Sequence, residues 1–126
     1  MSKLAPFPIA LAAVLAACSS ANAAPIDSGN DVHCYAMASG FGMIADIQKA
    51  PADQRHAAAV MEAWYGAKLD PIRKTRGADQ VEREAAPVIQ AFDADLGALK
   101  TAFIACTERA ISDPSFNGFA ARQSRR

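Results

Sequence analysis

Pro87 to Asp113 reads PVIQAFDADLGALKTAFIACTERAISD, and within it Ile89, Phe92, Leu96, Leu99, Phe103, Cys106 and Ala110 recur at alternating steps of three and four. That period is one face of an α-helix, and sustained over seven positions it resembles a heptad seam. The spacing predicts a final helix that starts beyond Pro87 and ends near Asp113-Pro114. At about 25 residues it would be roughly 37 Å long, with Cys106 near its far end and turned toward a core.

Upstream of this seam the chain is again helical in pattern. Asp79 to Ala86 reads as a short helix, and Pro87 marks a kink or break, because proline lacks the N–H and disfavours helix at the residue before it. Ile72 to Gly77 is basic and has one large apolar residue, so it is expected to form at most a short helical turn and to be the most mobile segment, with a break at Gly77. From Pro51 to about Leu69, Ala57, Val60, Met61, Trp64 and Ala67 or Lys68 share a face, opposite Gln54, Arg55 and Glu62. Trp64 is the expected anchor of that helix, and Pro51 suits its first turn.

A first helix is predicted from Asp31, as its cap, to about Lys49, with Cys34, Met37, Ala38, Phe41, Ile44 and Ile47 on its inner face. Gly40 and Gly42 lie inside it, each costing up to about 1 kcal/mol relative to alanine. The space they leave is expected to serve the close approach of a neighbouring helix or, on the sharper reading, a ligand. No stretch alternates as a strand does, and β-branched residues are few. The fold class expected is therefore all-α: a small bundle of three long helices plus a short one over residues 31–113, preceded by a tether at 24–30. Residues 114–126 are expected to be a frayed basic C-terminal tail containing Arg122, Arg125 and Arg126, with Phe116, Gly118 and Phe119 able to fold back on the bundle.

The first 23 residues have the layout of a secretory signal peptide: Lys3, then an uncharged run from Leu4 to Ala17, then small residues. The apolar run is too short to span a bilayer. Two cleavage readings stand: after Ala21-Asn22-Ala23, or before Cys18, where Leu15-Ala16-Ala17-Cys18 has the form of a lipoprotein lipobox and would lipidate Cys18. Either way Cys34 and Cys106 remain as the one pair in an oxidising compartment, and a bridge between them is expected. It would tie first helix to last, which requires those ends to lie together, as antiparallel packing arranges. Loss of Lys3 takes the 13 basic residues to 12, one fewer than the 13 acidic ones. No strong field therefore steers the protein to nucleic acid, and contact with membrane is expected only through a lipid anchor at Cys18. The expected location is the periplasm of a Gram-negative bacterium, soluble or lipid-anchored.

Motifs for chemistry are few. His33 and His56 fall on different helices with no ligand-spaced partner, so no metal site is expected. Gly29 and Ala38 stand where a calcium loop at Asp27–Asp31 would need other residues. Glu82 with Glu84, and Asp93 with Asp95, diverge on helices instead of converging on a substrate. Phosphate loops and nucleophile elbows are lacking, as is a c-type haem run, so neither an enzyme nor a resident cofactor is expected. Met37, Met43, Met61, His33 and His56 are the candidate ligands should the bundle hold haem non-covalently. Lys68, Arg73, Lys74 and Arg76 form the one positive cluster outside the tail.

The signal, the early Cys34, the stretch Ala63-Trp64-Tyr65-Gly66-Ala67-Lys68-Leu69 and the late Cys106 together resemble small uncharacterised exported helical proteins of Proteobacteria, notably a sphingomonad-like group. That resemblance implies no activity. In size, compartment, helix content and single disulfide the chain is also similar to periplasmic acid-stress chaperones, whose cysteines lie closer in sequence and whose composition is more charged. The function expected is that of a non-enzymatic binding or interaction module of the cell envelope, with a protein or small-molecule partner there. The alternatives are a chaperone-like stress protein exposing the apolar seam around Phe92, Leu99 and Phe103, and a haem-binding bundle.

Overall fold

The computed structural model describes residues 25–125; the expected export segment and Cys18, with both of its cleavage readings, lie outside the described residues. Five helices follow one another: α1 Asp31–Ile47, α2 Ala52–Arg76, α3 Ala78–Ala94, α4 Leu96–Ile111 and α5 Phe116–Ser124. The described residues are all-helical with no strand, as the absence of alternating patterns predicts. The helices differ from the expected set in number and in where they break.

α1 packs against α2, α3 and α4. It runs antiparallel to α2, placing Gly66 against Tyr35 and Gly42 against Ala58. It runs parallel to α3, with Val32 meeting Val81 at one end and Gly40 under Phe92 further along. The Cys34–Cys106 bridge at the start of α1 and the far half of α4 makes those two antiparallel, with the Cα atoms 5.7 Å apart. The disulfide is formed as the sequence predicts. Cys34, Met37, Tyr65, Val88, Leu99 and Cys106 are fully buried around it.

The helix starts follow local chemistry. Asn30, not Asp31, caps α1: its side-chain carbonyl accepts from the N–H groups of Val32 and His33 at 2.9 and 3.3 Å, leaving Asp31 as a first-turn acid. Asp95 plays the same part for α4, accepting from Ala98 at 3.1 Å. That cap, not Pro87, divides the segment expected to be one long helix. α3 runs through Pro87 and α2 through Pro71. The carbonyls that lose their donors there belong to Ala67 and Arg83, both exposed, so water can replace the missing bond. Residues 72–76, expected as a mobile stretch, complete α2. The break at Gly77 is as expected, and its φ of 86° lies where glycine alone is unstrained.

The break at Asp95 resets the helical phase. α3 buries Val81 and Val88 and half-buries Ala85 and Phe92, a continuous face across Pro87, whereas Ile89 is 62% exposed and Leu96 38%. Within α4 the expected face holds, with Leu99, Cys106 and Ala110 buried and Phe103 half-buried. Ile47, at the end of α1, is exposed, and on α2 Ala58 replaces Ala57 at the core, with Tyr65 and Leu69 as further buried positions. The expected frayed tail is instead helical over Phe116–Ser124, because α5 folds back and Phe116 and Phe119 set their ring edges against Trp64 at centroid distances of 5.2 and 5.3 Å.

The two glycines of α1 have different uses. A Cβ on Gly40 would overlap the ring of Phe92, which is itself held by Phe41 at 5.1 Å; Gly40 is the close-approach site. A Cβ on Gly42 would meet Ala58 Cβ at an ordinary 3.7 Å. Gly42→Ala is therefore expected to stabilise the domain by up to about 1 kcal/mol through helix propensity. Gly40→Ala gains the same propensity but must displace a packed ring, an overpacking cost of about 1–3 kcal/mol, and is expected to be net destabilising. Thermal melts of the two variants that shift in the same direction would contradict this assignment.

Candidate functional site

The polar groups that converge do so around the disulfide. Arg109, one turn beyond Cys106 on α4, donates from Nε to the Ser28 carbonyl at 3.1 Å and approaches Asp31 Oδ1 at 2.9 Å and Cys34 Sγ at 3.4 Å. Its guanidinium also lies 5.2 Å from the centre of the Tyr65 ring. The Tyr65 hydroxyl donates to the Cys106 carbonyl, and burial pushes its pKa up, opposed in part by Arg109, so at neutral pH it remains a donor. His33 is buried, with Nδ1 accepting from the Asp27 N–H at 3.0 Å. These bonds fix the expected tether, residues 25–30, against α1 and α4. Ile26 adds an apolar contact to the same core. These contacts make the cluster a clasp: Arg109 closes onto the carbonyl and carboxylate that sit beside the bridge, and the buried Asp31 Oδ1 is held there by the ion pair and not by an aligned hydrogen bond.

Apolar grooves lie elsewhere on the bundle, two of them over aromatic rings. Between α1 and α3 is a cleft of about 650 Å³ with Phe92 and Gly40 at its base and Met43, Ile44, Ile89 and Leu96 along it. Arg73, Glu82 and Asp93 line the same cleft. A second, of about 470 Å³, opens between α2 and α4 over Phe41, Met61 and Phe103. The two share a spine of aromatic rings, Phe92 edge-on to Phe41 at 5.1 Å and Phe41 stacked on Phe103 at 5.2 Å.

The candidate haem ligands are dispersed. Met37 and Met61 are core residues, Met43 is 62% exposed in the α1–α3 cleft, His33 has one ring nitrogen engaged, and His56 is exposed and bonds Ser124 Oγ at 2.9 Å. Among the described residues no group of three or more His, Cys, Asp and Glu is placed to hold a metal ion, and no described helix is long and apolar enough to cross a membrane. The basic cluster is mostly engaged: Lys68 lies over Trp64, Arg73 over Tyr35, and Arg76 pairs with Glu84 at 2.7 Å. Of the paired carboxylates, Glu84 holds Arg76 and Asp95 caps α4, while Glu82 and Asp93 face the α1–α3 cleft. The cleft escaped the sequence reading because a solvated Ile89 breaks the expected seam. The doubling Val88-Ile89 is no signal for it, since the adjacent pairs Val60-Met61 and Trp64-Tyr65 are both buried on α2.

Comparison of the chain with models of known protein families, with curated proteins and with solved structures finds no match.

Proposed function

We propose that this chain is an exported, non-catalytic binding module that takes the apolar side chains of a protein partner in the α1–α3 cleft. The observation that carries this reading is one of placement. Among the described residues, three of the six large apolar side chains left exposed, Met43, Ile89 and Leu96, line that one cleft over Phe92. Isolated exposed apolar residues are ordinary, but a contiguous set along a groove marks a surface that gains from being covered. The charges lining it favour a basic partner: Glu82 and Asp93 make no ion pair among the described residues, and Arg73 is drawn toward Tyr35 and Asp70. The disulfide fits an oxidising, exported setting such as the periplasm, where one covalent tie lets a small bundle keep its shape while presenting an apolar face. The polar cluster at the bridge serves that rigidity, and no reaction is assigned to it.

The test uses the purified oxidised protein and a fluorescently labelled amphipathic helix of leucine and lysine, read by anisotropy. Saturable binding is expected, weaker by about ten-fold for Ile89→Asp and for the matching leucine–glutamate helix, with circular dichroism of the variant unchanged. Absence of saturable binding, or indifference to Ile89→Asp, would overturn the reading.

A further inference from the structure

The α2–α4 groove differs from the α1–α3 cleft in its charge. Its base is Phe41, Met61 and Phe103, and the one charged residue among those lining it is Lys100. Lys100 is exposed, is in no ion pair among the described residues, and has Leu96, Gly97, Phe103 and Ile104 at the helical spacings where an acid on its own helix could neutralise it. α2 and α4 both run antiparallel to α1 and so run parallel to each other, which sets Gln54 and Lys100 at the same end of the groove. From there to Met61 on α2 and Thr107 on α4 is seven residues along each helix, about 10 Å. Ile104, 61% exposed, flanks the groove and extends its apolar wall.

We infer that this groove binds a medium-chain fatty carboxylate, its head at Lys100 and the Gln54 amide and its chain laid over Phe41, Met61 and Phe103. The distribution of polarity argues for such an occupant: one cation and one amide at one end, then about 10 Å of apolar surface. An extended peptide would need partners for its backbone groups along the groove, and Thr107, the one hydroxyl among the residues lining it, already donates to the Phe103 carbonyl at 3.0 Å. A neutral alcohol of the same length would gain the apolar contact but not the attraction of the ammonium, and an amine would be repelled by it.

Isothermal titration of the oxidised protein with decanoate, decanol and decylamine, the two ionic ligands below their micelle-forming concentrations and decanol below its solubility limit, tests the assignment. Decanoate is expected to bind about ten-fold more tightly than decylamine. Lys100→Glu, an exposed change that leaves the core untouched, is expected to reverse that order, and Ala57→Trp, which fills the groove from an exposed position, to abolish binding of all three. Equal affinity for the three ligands, an order unchanged by Lys100→Glu, or association seen only with micelles would overturn it. The α1–α3 variant Ile89→Asp is expected to bind decanoate normally, which keeps the fate of this inference separate from that of the protein-binding cleft.

Discussion

Replacing Cys34 or Cys106 by alanine is expected to destabilise the domain by about 4 kcal/mol in either case, with the double variant losing no more than either single one. The bridge spans 72 residues of sequence, so cutting it returns a long loop's worth of freedom to the unfolded chain, where the chain-entropy account places most of the effect. In the folded state the clasp survives: Arg109 still reaches Ser28 and Asp31, and Tyr65 still donates to the Cys106 carbonyl. Both sulfurs are fully buried, and each substitution empties a similar small volume. Urea midpoints of the three variants decide the matter. Losses that differ by more than about 1 kcal/mol, or a double variant that sums the two singles, would mean that the cysteines contribute as separate core residues and not as one link. A loss of this size would take a large share of what a small domain has to spare.

The bridge and the helical class were legible because each rests on a signal that tertiary context rarely reverses: the two cysteines left once the expected export segment is set aside, and apolar residues at steps of three and four. The break points were not, since they depend on which of two competing local effects prevails. Pro71 and Pro87 each remove one hydrogen bond at an exposed carbonyl, a loss that water makes good. Asp95 offers the Ala98 N–H a replacement acceptor just ahead of Gly97, a residue of low helix propensity, and there the chain does turn. The cap was in the sequence, but a seam that seemed to run through it concealed it. Once α3 ends at Ala94, Ile89 belongs to the outer side of a helix whose inner side is Val81, Val88 and Phe92. The candidate cleft is a product of that phase change. It could not be read from periodicity alone, because a residue that matches a seam is assigned to the core by the same rule that would assign a groove.

Trp64→Ala is expected to cost about 3–5 kcal/mol and, more tellingly, to free α5 from the bundle. The Trp64 ring is nearly buried and is the surface on which both Phe116 and Phe119 rest, while Lys68 covers it at 4.8 Å. α5 rests on α2 and on α4, and among the described residues its side-chain hydrogen bond to the rest of the bundle is His56 to Ser124, between two exposed side chains. The turn that introduces α5 is independent of Trp64. The Ser115 N–H and hydroxyl both donate to Asp113, which holds that carboxyl below its ordinary range and keeps the turn formed at neutral pH. Removing the indole therefore leaves a hinge at residues 113–115 with an unanchored helix beyond it. Limited trypsinolysis reads this directly, since Arg122 and Arg125 lie on α5 or at its end. Leu99→Ala, fully buried on α4 and of similar expected cost at about 2–5 kcal/mol, supplies the control. If α5 is held by Trp64, cleavage at Arg122 and Arg125 accelerates in Trp64→Ala well beyond its rate in Leu99→Ala at matched stability. Equal rates would mean that α5 opens only when the whole domain unfolds, and that the C-terminal segment is as integral to the bundle as the four helices before it.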